Sequence, residues 1–219
     1  MARTGAVMIV AVGRGSAGSS RGPREGRTAN LIADWYEERR LRILADVAGE
    51  GTILDVGYAK LPNTHFRSKV IGIDLAPAPP GCNYHETIIG DAMTVAELLP
   101  GRRFDSIVCG EFIEHMEEPY RFLRTIRPSI ASHGRLIMST PNPLAFPVVF
   151  AEITRSRRRF YSDDHTFYFL PRWAARLLDR SGYELERIVP VGLWNPWVPI
   201  PWAPVWMSYQ LIYVARPRI

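Results

Sequence analysis

Five short apolar runs between Thr52 and Asn142 constrain this chain more than any other feature. They are TILDVG, VIGIDL, TIIGDA, FDSIVCGEFIEH and GRLIMSTPN, and each ends in an acidic residue, a glycine or a polar turn. Stretches such as Thr52-Ile53-Leu54 and Val70-Ile71-Gly72-Ile73 are rich in β-branched residues and show no alternating polar face, so they read as strands buried on both sides. Strands of that kind form a parallel sheet, and parallel strands need crossovers, which predicts an alternating βα wind with helices on both faces. Strands are expected near 52–56, 70–74, 85–89, 104–109 and 134–139, and helices near 28–47, 93–99, 117–128 and 171–181. The crossover between the second and third strands is lean, because Ala76-Pro77-Ala78-Pro79-Pro80-Gly81 cannot form a regular helix.

In such a sheet a ligand lies beyond the carboxyl ends of the strands. Here those ends carry Asp55, Asp74, Asp91, Glu111 and Ser139. Four carboxylates make a poor cradle for phosphates, which call for backbone donors and a glycine loop, so a dinucleotide is disfavoured. A carboxylate ending the second strand can accept both protons of a ribose diol, and one opening the next helix can accept from an exocyclic amine. Ribose, adenine and a cationic amino-acid tail together describe S-adenosylmethionine.

The run EFIEHMEEPYRFLRTIRP followed by MSTPNP resembles the fourth-strand exit and following helix of class I S-adenosylmethionine-dependent methyltransferases, in the branch of the ubiquinone-pathway O-methyltransferases. The resemblance covers about residues 28 to 190. It implies a Rossmann-like α/β fold, a seven-stranded and mostly parallel sheet whose last strand is antiparallel. It also implies Asp55 and Gly57 beside the methionine part of the cofactor, Asp74 at the ribose, Asp91 and Met93 at the adenine, and Glu111 at the pocket mouth. The neighbours Tyr58, Leu75 and Ala92 belong to the same expected site. The family's first loop usually reads Asp-x-Gly-x-Gly-x-Gly, whereas Asp55-Val56-Gly57-Tyr58-Ala59-Lys60-Leu61 keeps only the first glycine. That departure puts tight cofactor binding at issue, and a methyltransferase-like scaffold is one alternative.

Methyl transfer from a sulfonium is an in-line displacement, so the protein must aim the acceptor and, for a hydroxyl, remove its proton. Glu111, Glu114 and His115 stand together at the fourth strand's exit. His115 suits a general base relayed by Glu114. Alternatively Glu111, Glu114 and His115, joined by His165 from Asp163-Asp164-His165, suit a divalent cation, Mg, Mn or Zn. This Glu-x-x-Glu-His pattern is similar to metal-binding segments of ubiquinone O-methyltransferases and small-RNA methyltransferases. Both roles stand open on the sequence, as does a third in which Glu114 and His115 only satisfy a loop.

At 219 residues the chain suits one methyltransferase domain, residues 28–219, preceded by a Gly/Ser/Arg-rich disordered leader at 1–27. The leader's Gly13-Arg14-Gly15-Ser16-Ala17-Gly18 matches a dinucleotide fingerprint, but no helix or βαβ unit follows. Cys82 and Cys109 give neither a disulfide framework nor a metal finger, which points to a cytoplasmic compartment. The formal charge of +5 is gathered in arginine clusters at Arg39, Arg40 and Arg42 and at Arg155, Arg157, Arg158 and Arg159. Such clusters fit a solvated surface, a phosphorylated substrate, an anionic membrane or RNA.

An insertion at 143–170, mixing arginines with Phe160, Tyr161, Phe167, Tyr168 and Phe169, is expected to shape the acceptor pocket. Beyond it, residues 190–207 form a tryptophan- and proline-rich segment whose prolines exclude an ordinary membrane-spanning helix. That segment reads as a packed loop, an apolar lid or a peripheral membrane contact. The leading expectation is O-methylation of a small-molecule, lipid or sugar hydroxyl, ahead of a metal-assisted RNA methyltransferase.

Overall fold

A computed structural model of the chain describes residues 23–146, 149, 165–193, 195 and 198–218, and for 23–33 only the helical backbone. The leader up to residue 22, the arginine cluster at 155–159, Asp163 and Asp164 lie outside the described residues. The first helix, α1 (Pro23–Ala48), starts five residues before the expected domain boundary. Its proline supplies a preset φ where no intrahelical donor is needed.

Seven strands make one sheet: β1 (Thr52–Val56), β2 (Lys69–Asp74), β3 (Glu86–Ile89), β4 (Phe104–Gly110), β5 (Ile130–Pro141), β6 (Tyr183–Pro190) and β7 (Gln210–Pro217). Their spatial order is β3-β2-β1-β4-β5-β7-β6. The first five strands pair in parallel, and β7 runs antiparallel between β5 and β6. All five expected strands are present, with β5 beginning four residues earlier than the apolar run suggested. The registers align Asp55 with Val108 and Gly110 with Ser139, which brings the ends of β1, β4 and β5 to one rim.

Both faces are covered, as buried strands require. One face packs Ile53, Val70, Val108 and Ile137 against Leu44 and Ala48 of α1. The other packs Leu54, Ile71, Ile107 and Met138 against α3 (Pro119–Ile126) and α4 (Pro171–Arg180) through Phe122, Leu123, Leu177 and Leu178. Cys109 is fully buried in this layer. The helix expected at 93–99 is a 3-10 turn, Ala92–Thr94, followed by the single turn α2 (Val95–Leu98).

The alternating βα wind fails in two places. Between β2 and β3 the chain has no helix, as the prolines dictate. Between β1 and β2 it also has none: residues 57–68 are turns and coil. The space that a first crossover helix would fill is taken by aromatic side chains. Tyr58 is buried against the flat face of Gly72, its ring centroid 5.0 Å from that of Tyr84, and Phe66 leans on Tyr84 in turn.

Candidate active site

β1 and β4 are adjacent in the sheet, yet the chain leaves them toward opposite edges, and this is where an open α/β sheet forms its crevice. A cavity of about 620 Å³ opens there, lined in part by Asp55, Gly57, Tyr58, Glu111, His115 and His165. Its size falls within the roughly 300–1,000 Å³ typical of small-molecule sites. A larger concavity of about 1390 Å³ lies at the opposite edge, where β5 and β6 begin. It contains none of the expected site residues, and its Arg135 and Arg216 are paired with Glu186 and Glu184.

The β4 exit is strained. Glu111 has a φ of 50°, and its N–H donates to both the carbonyl and the hydroxyl of Ser139, each at 3.1 Å. A non-glycine residue held in the left-handed region costs on the order of 1–3 kcal/mol, and such residues cluster where function needs them. The turn aims the Glu111 carboxylate inward, where it accepts from Ser139 Oγ at 3.1 Å and Gln210 Nε2 at 3.3 Å. Burial pushes this carboxyl above its ordinary value, against the pull of Arg40.

Arg40 is the residue that sequence reasoning misplaced. The sequence sets it in a cluster with Arg39 and Arg42 that fits a solvated surface or an anionic partner, but it is only 5% exposed. It lies four residues from both Tyr36 and Leu44, each buried, so its place on the inward stripe of α1 was readable from spacing. Its guanidinium donates to Glu37 Oε2 at 2.6 Å and Ser139 Oγ at 3.4 Å. Burial works against its charge, but Glu111, Glu37 and Asp55 outweigh that and hold it more firmly protonated than usual. Gln210, at the start of β7, ties the network by donating to Glu37 Oε1 at 3.2 Å as well as to Glu111.

Asp55 faces the same cavity. Burial, with Asp74 adding to it, pushes its carboxyl up to about 7, although the Tyr84 hydroxyl donates to it at 2.5 Å and Arg40 lies near. The conformation of Gly57 requires glycine. Its φ is +75°, and a Cβ there would stand 2.4 Å from the Phe112 ring. Phe112 therefore lies directly on this glycine.

The remaining expected cofactor residues share the rim but do not line the cavity. Asp74 accepts the N–H groups of Ala59 and Ala76, each at 2.9 Å. Leu75 is exposed, Asp91 caps the 3-10 turn by accepting from the Met93 N–H, Ala92 is buried, and Met93 packs on the core. Ala59, which stands where the family's loop has its second glycine, has its amide fixed by Asp74 and so leaves less backbone to meet a ligand.

At the cavity's mouth the short turn Ile113–His115 buries Ile113 in the core and with it Glu114, which is 1% exposed. The Glu114 carbonyl accepts from Thr166 N at 2.8 Å and Phe167 N at 3.0 Å. This clamp draws the end of the 143–170 insertion over the β4 exit and sets the His165 ring 4.8 Å from that of His115. One ligand atom each from Glu114, His115 and His165 lies within 4.8 Å of the others. Glu111, expected as a fourth ligand, is not part of this cluster; Ser139 and Gln210 occupy its oxygens. Both Glu114 carboxylate oxygens are buried with no hydrogen-bond partner among the described residues. Burial first, then the Glu111 charge, pushes this carboxyl up to about 9.

Comparison with known proteins agrees with this geometry. A family model described as a methyltransferase domain matches residues 28–188. A ubiquinone biosynthesis O-methyltransferase of Pseudomonas paraeruginosa is 30% identical over 183 residues, covering 76% of this chain and 75% of the relative. Among solved structures, a possible histamine N-methyltransferase of Thermotoga maritima superposes with a TM-score of 0.63 at 16% identity, over 87% of this chain and 96% of the other. A 1,6-didemethyltoxoflavin-N1-methyltransferase of Burkholderia thailandensis, solved with S-adenosylhomocysteine, gives 0.59 at 14% identity, over 93% and 94%. With a rim of carboxylates at the switch point of a seven-stranded sheet, and a family match over most of its length, the chain belongs to the class I S-adenosylmethionine-dependent methyltransferases.

Proposed function

We propose that the protein transfers the methyl group of S-adenosylmethionine to a hydroxyl of a small molecule, lipid or sugar. The observation that carries this reading is Glu114: a buried carboxyl without a hydrogen-bond partner, beside two histidines, at the mouth of the cavity. Orphaned ionisable groups are costly, and they persist where a substrate or ion relieves them. The relative named for O-methylation in ubiquinone biosynthesis supports oxygen as the acceptor atom.

The cofactor's amino-acid tail suits the inner cavity. Arg40 offers a cation for its carboxylate, and Asp55 and Glu111 offer anions for its ammonium. The ribose and adenine would extend outward along the rim past Asp74 and Leu75 toward Asp91, Ala92 and Met93. The sulfonium then faces His115. As the acceptor oxygen bonds to the methyl carbon and the carbon–sulfur bond breaks, the hydroxyl proton passes to His115, whose imidazole has the Glu114 carboxyl within 4.8 Å.

The same donor set fits a divalent cation, since one carboxylate and two imidazoles already converge and the carboxylate has no hydrogen-bond partner. Glu114, His115 and His165 would hold it, and it would supply Lewis acidity to the acceptor hydroxyl. Transfer of labelled methyl to phenolic and polyprenylated hydroxyl acceptors, with and without chelator, tests both readings. Transfer that survives chelation and fails in His115→Ala supports the base. Transfer to nitrogen acceptors alone overturns the hydroxyl assignment.

A further inference from the structure

The chain between β6 and β7 exposes aromatic surface at the catalytic rim. Trp202 is 72% and Trp206 63% exposed, with Val198 at 59% beside them in sequence. Leu144 and Phe146, after β5, are exposed too. Asn142 joins the two loops: its N–H donates to Tyr209 O at 2.8 Å and its amide to Val205 O at 3.1 Å and Ser208 O at 2.8 Å. Pro141 pairs with Gln210, and Gln210 reaches Glu111, so these aromatics stand just beyond the active-site rim.

The loop that carries the indoles is anchored from within at several points. Ile200 O accepts from Leu193 N at 3.1 Å, and Pro201 O from Arg39 at 2.6 Å. Pro204 O accepts from Met207 N and Ser208 N. Ile200 N donates to the Tyr36 hydroxyl at 3.2 Å. Pro199, Pro201 and Pro204 have no N–H to satisfy. A loop anchored in this way holds its indoles at headgroup depth, where water and lipid headgroups can meet its remaining backbone groups.

Arginines stand on two elements that reach the same rim, α4 just after the Thr166 and Phe167 clamp on Glu114 and α1 at Arg39. Trp173, nearly half exposed, carries the guanidinium groups of Arg172 and Arg176 over its ring at 5.5 and 5.9 Å. Arg39 lies at the root of the tryptophan loop, 5.7 Å from the Trp35 ring. Exposed indoles with flanking arginines suit the headgroup region of an anionic bilayer. No described helix is long and apolar enough to cross a membrane, so contact of this kind is peripheral.

We infer that the Trp202 and Trp206 loop, with Leu144 and Phe146, docks the active-site rim onto an anionic lipid surface. The consequence for catalysis, that an amphipathic acceptor enters from the bilayer rather than from bulk water, rests on the function proposed above. Docking itself does not. Flotation with phosphatidylcholine vesicles, and with phosphatidylcholine mixed with phosphatidylglycerol, tests it directly. The full chain should float with the mixed vesicles, more weakly at high salt. The double variant Trp202→Ala and Trp206→Ala should bind about tenfold less or weaker still, given the apolar area removed.

That variant should keep its calorimetric affinity for S-adenosylmethionine, because neither indole lines the cavity. Vesicle binding unchanged in the double variant overturns the inference. So does an absence of vesicle binding accompanied by a concentration-dependent dimer that the variant abolishes, which would assign the surface to a second copy. If vesicles bind but no hydroxyl acceptor is methylated, docking stands and the proposed function fails.

Discussion

Replacing Gly72 by alanine tests whether aromatic rings stand in for the absent first crossover helix. A Cβ at Gly72 would fall 2.6, 2.7 and 2.9 Å from three carbons of the Tyr58 ring, where ordinary contact is 3.4–4 Å. The ring cannot retreat freely, because Tyr84 lies behind it and is tied to Asp55 and Asn63. Overpacking of this kind costs about 1–3 kcal/mol. Tyr58→Ala alone should cost more, about 3–5 kcal/mol, since it empties a buried aromatic site. In the double variant the added methyl meets no ring, so the total should fall short of the sum by about the overpacking cost, roughly 1–3 kcal/mol. Urea unfolding of the four proteins measures the cycle. For a chain of this length 1 kcal/mol is about 2–4 °C in Tm, so thermal scans give a second reading. Additivity within about 0.5 kcal/mol would mean that Tyr58 is not seated on Gly72, and the inner wall of the cavity would be wrong as described.

Arg40→Ala leaves Glu37 and Glu111 facing each other without their cation and should destabilise the protein by about 3–5 kcal/mol, read by denaturant midpoint. Arg40→Lys should preserve more stability than cofactor affinity, a split that calorimetry detects. Asp55 has a folded value of about 7 against an ordinary 3.8, so the folded state holds the proton more tightly. The stability this gives is fully present below pH 3.8 and is lost as pH rises through 7. Relative to wild type, Asp55→Asn should gain on the order of 4 kcal/mol between acid and pH 8, and a flat difference would refute the assignment. His115→Ala should lower turnover by roughly 10²–10⁴ while leaving cofactor binding intact.

The strands could be read locally because a parallel strand buried on both faces has no polar alternation to hide it. The acidic strand ends followed, since the termination of each apolar run marks the rim. Asp55, Gly57, Tyr58, Glu111, His115 and His165 accordingly meet in one cavity. Arg40 escaped because an arginine beside two others on a helix is ordinarily solvated, and its burial depends on a network completed by groups from other elements. Glu37 from its own helix, Glu111 after β4 and Gln210 on β7 are brought together only by folding. The helix missing after β1 was also hidden: Tyr58 and Tyr84 are 26 positions apart, and nothing local announces that their rings replace it.

Sequence alone therefore determined the layer architecture and the sheet edge at which the acidic strand ends gather, because these depend on composition along single strands. Tertiary structure decided which carboxylates share a cation, which one is left unpartnered beside two histidines, and which tryptophans face outward. Those outcomes depend on distances between residues far apart in the chain, and burial sets their electrostatic weight.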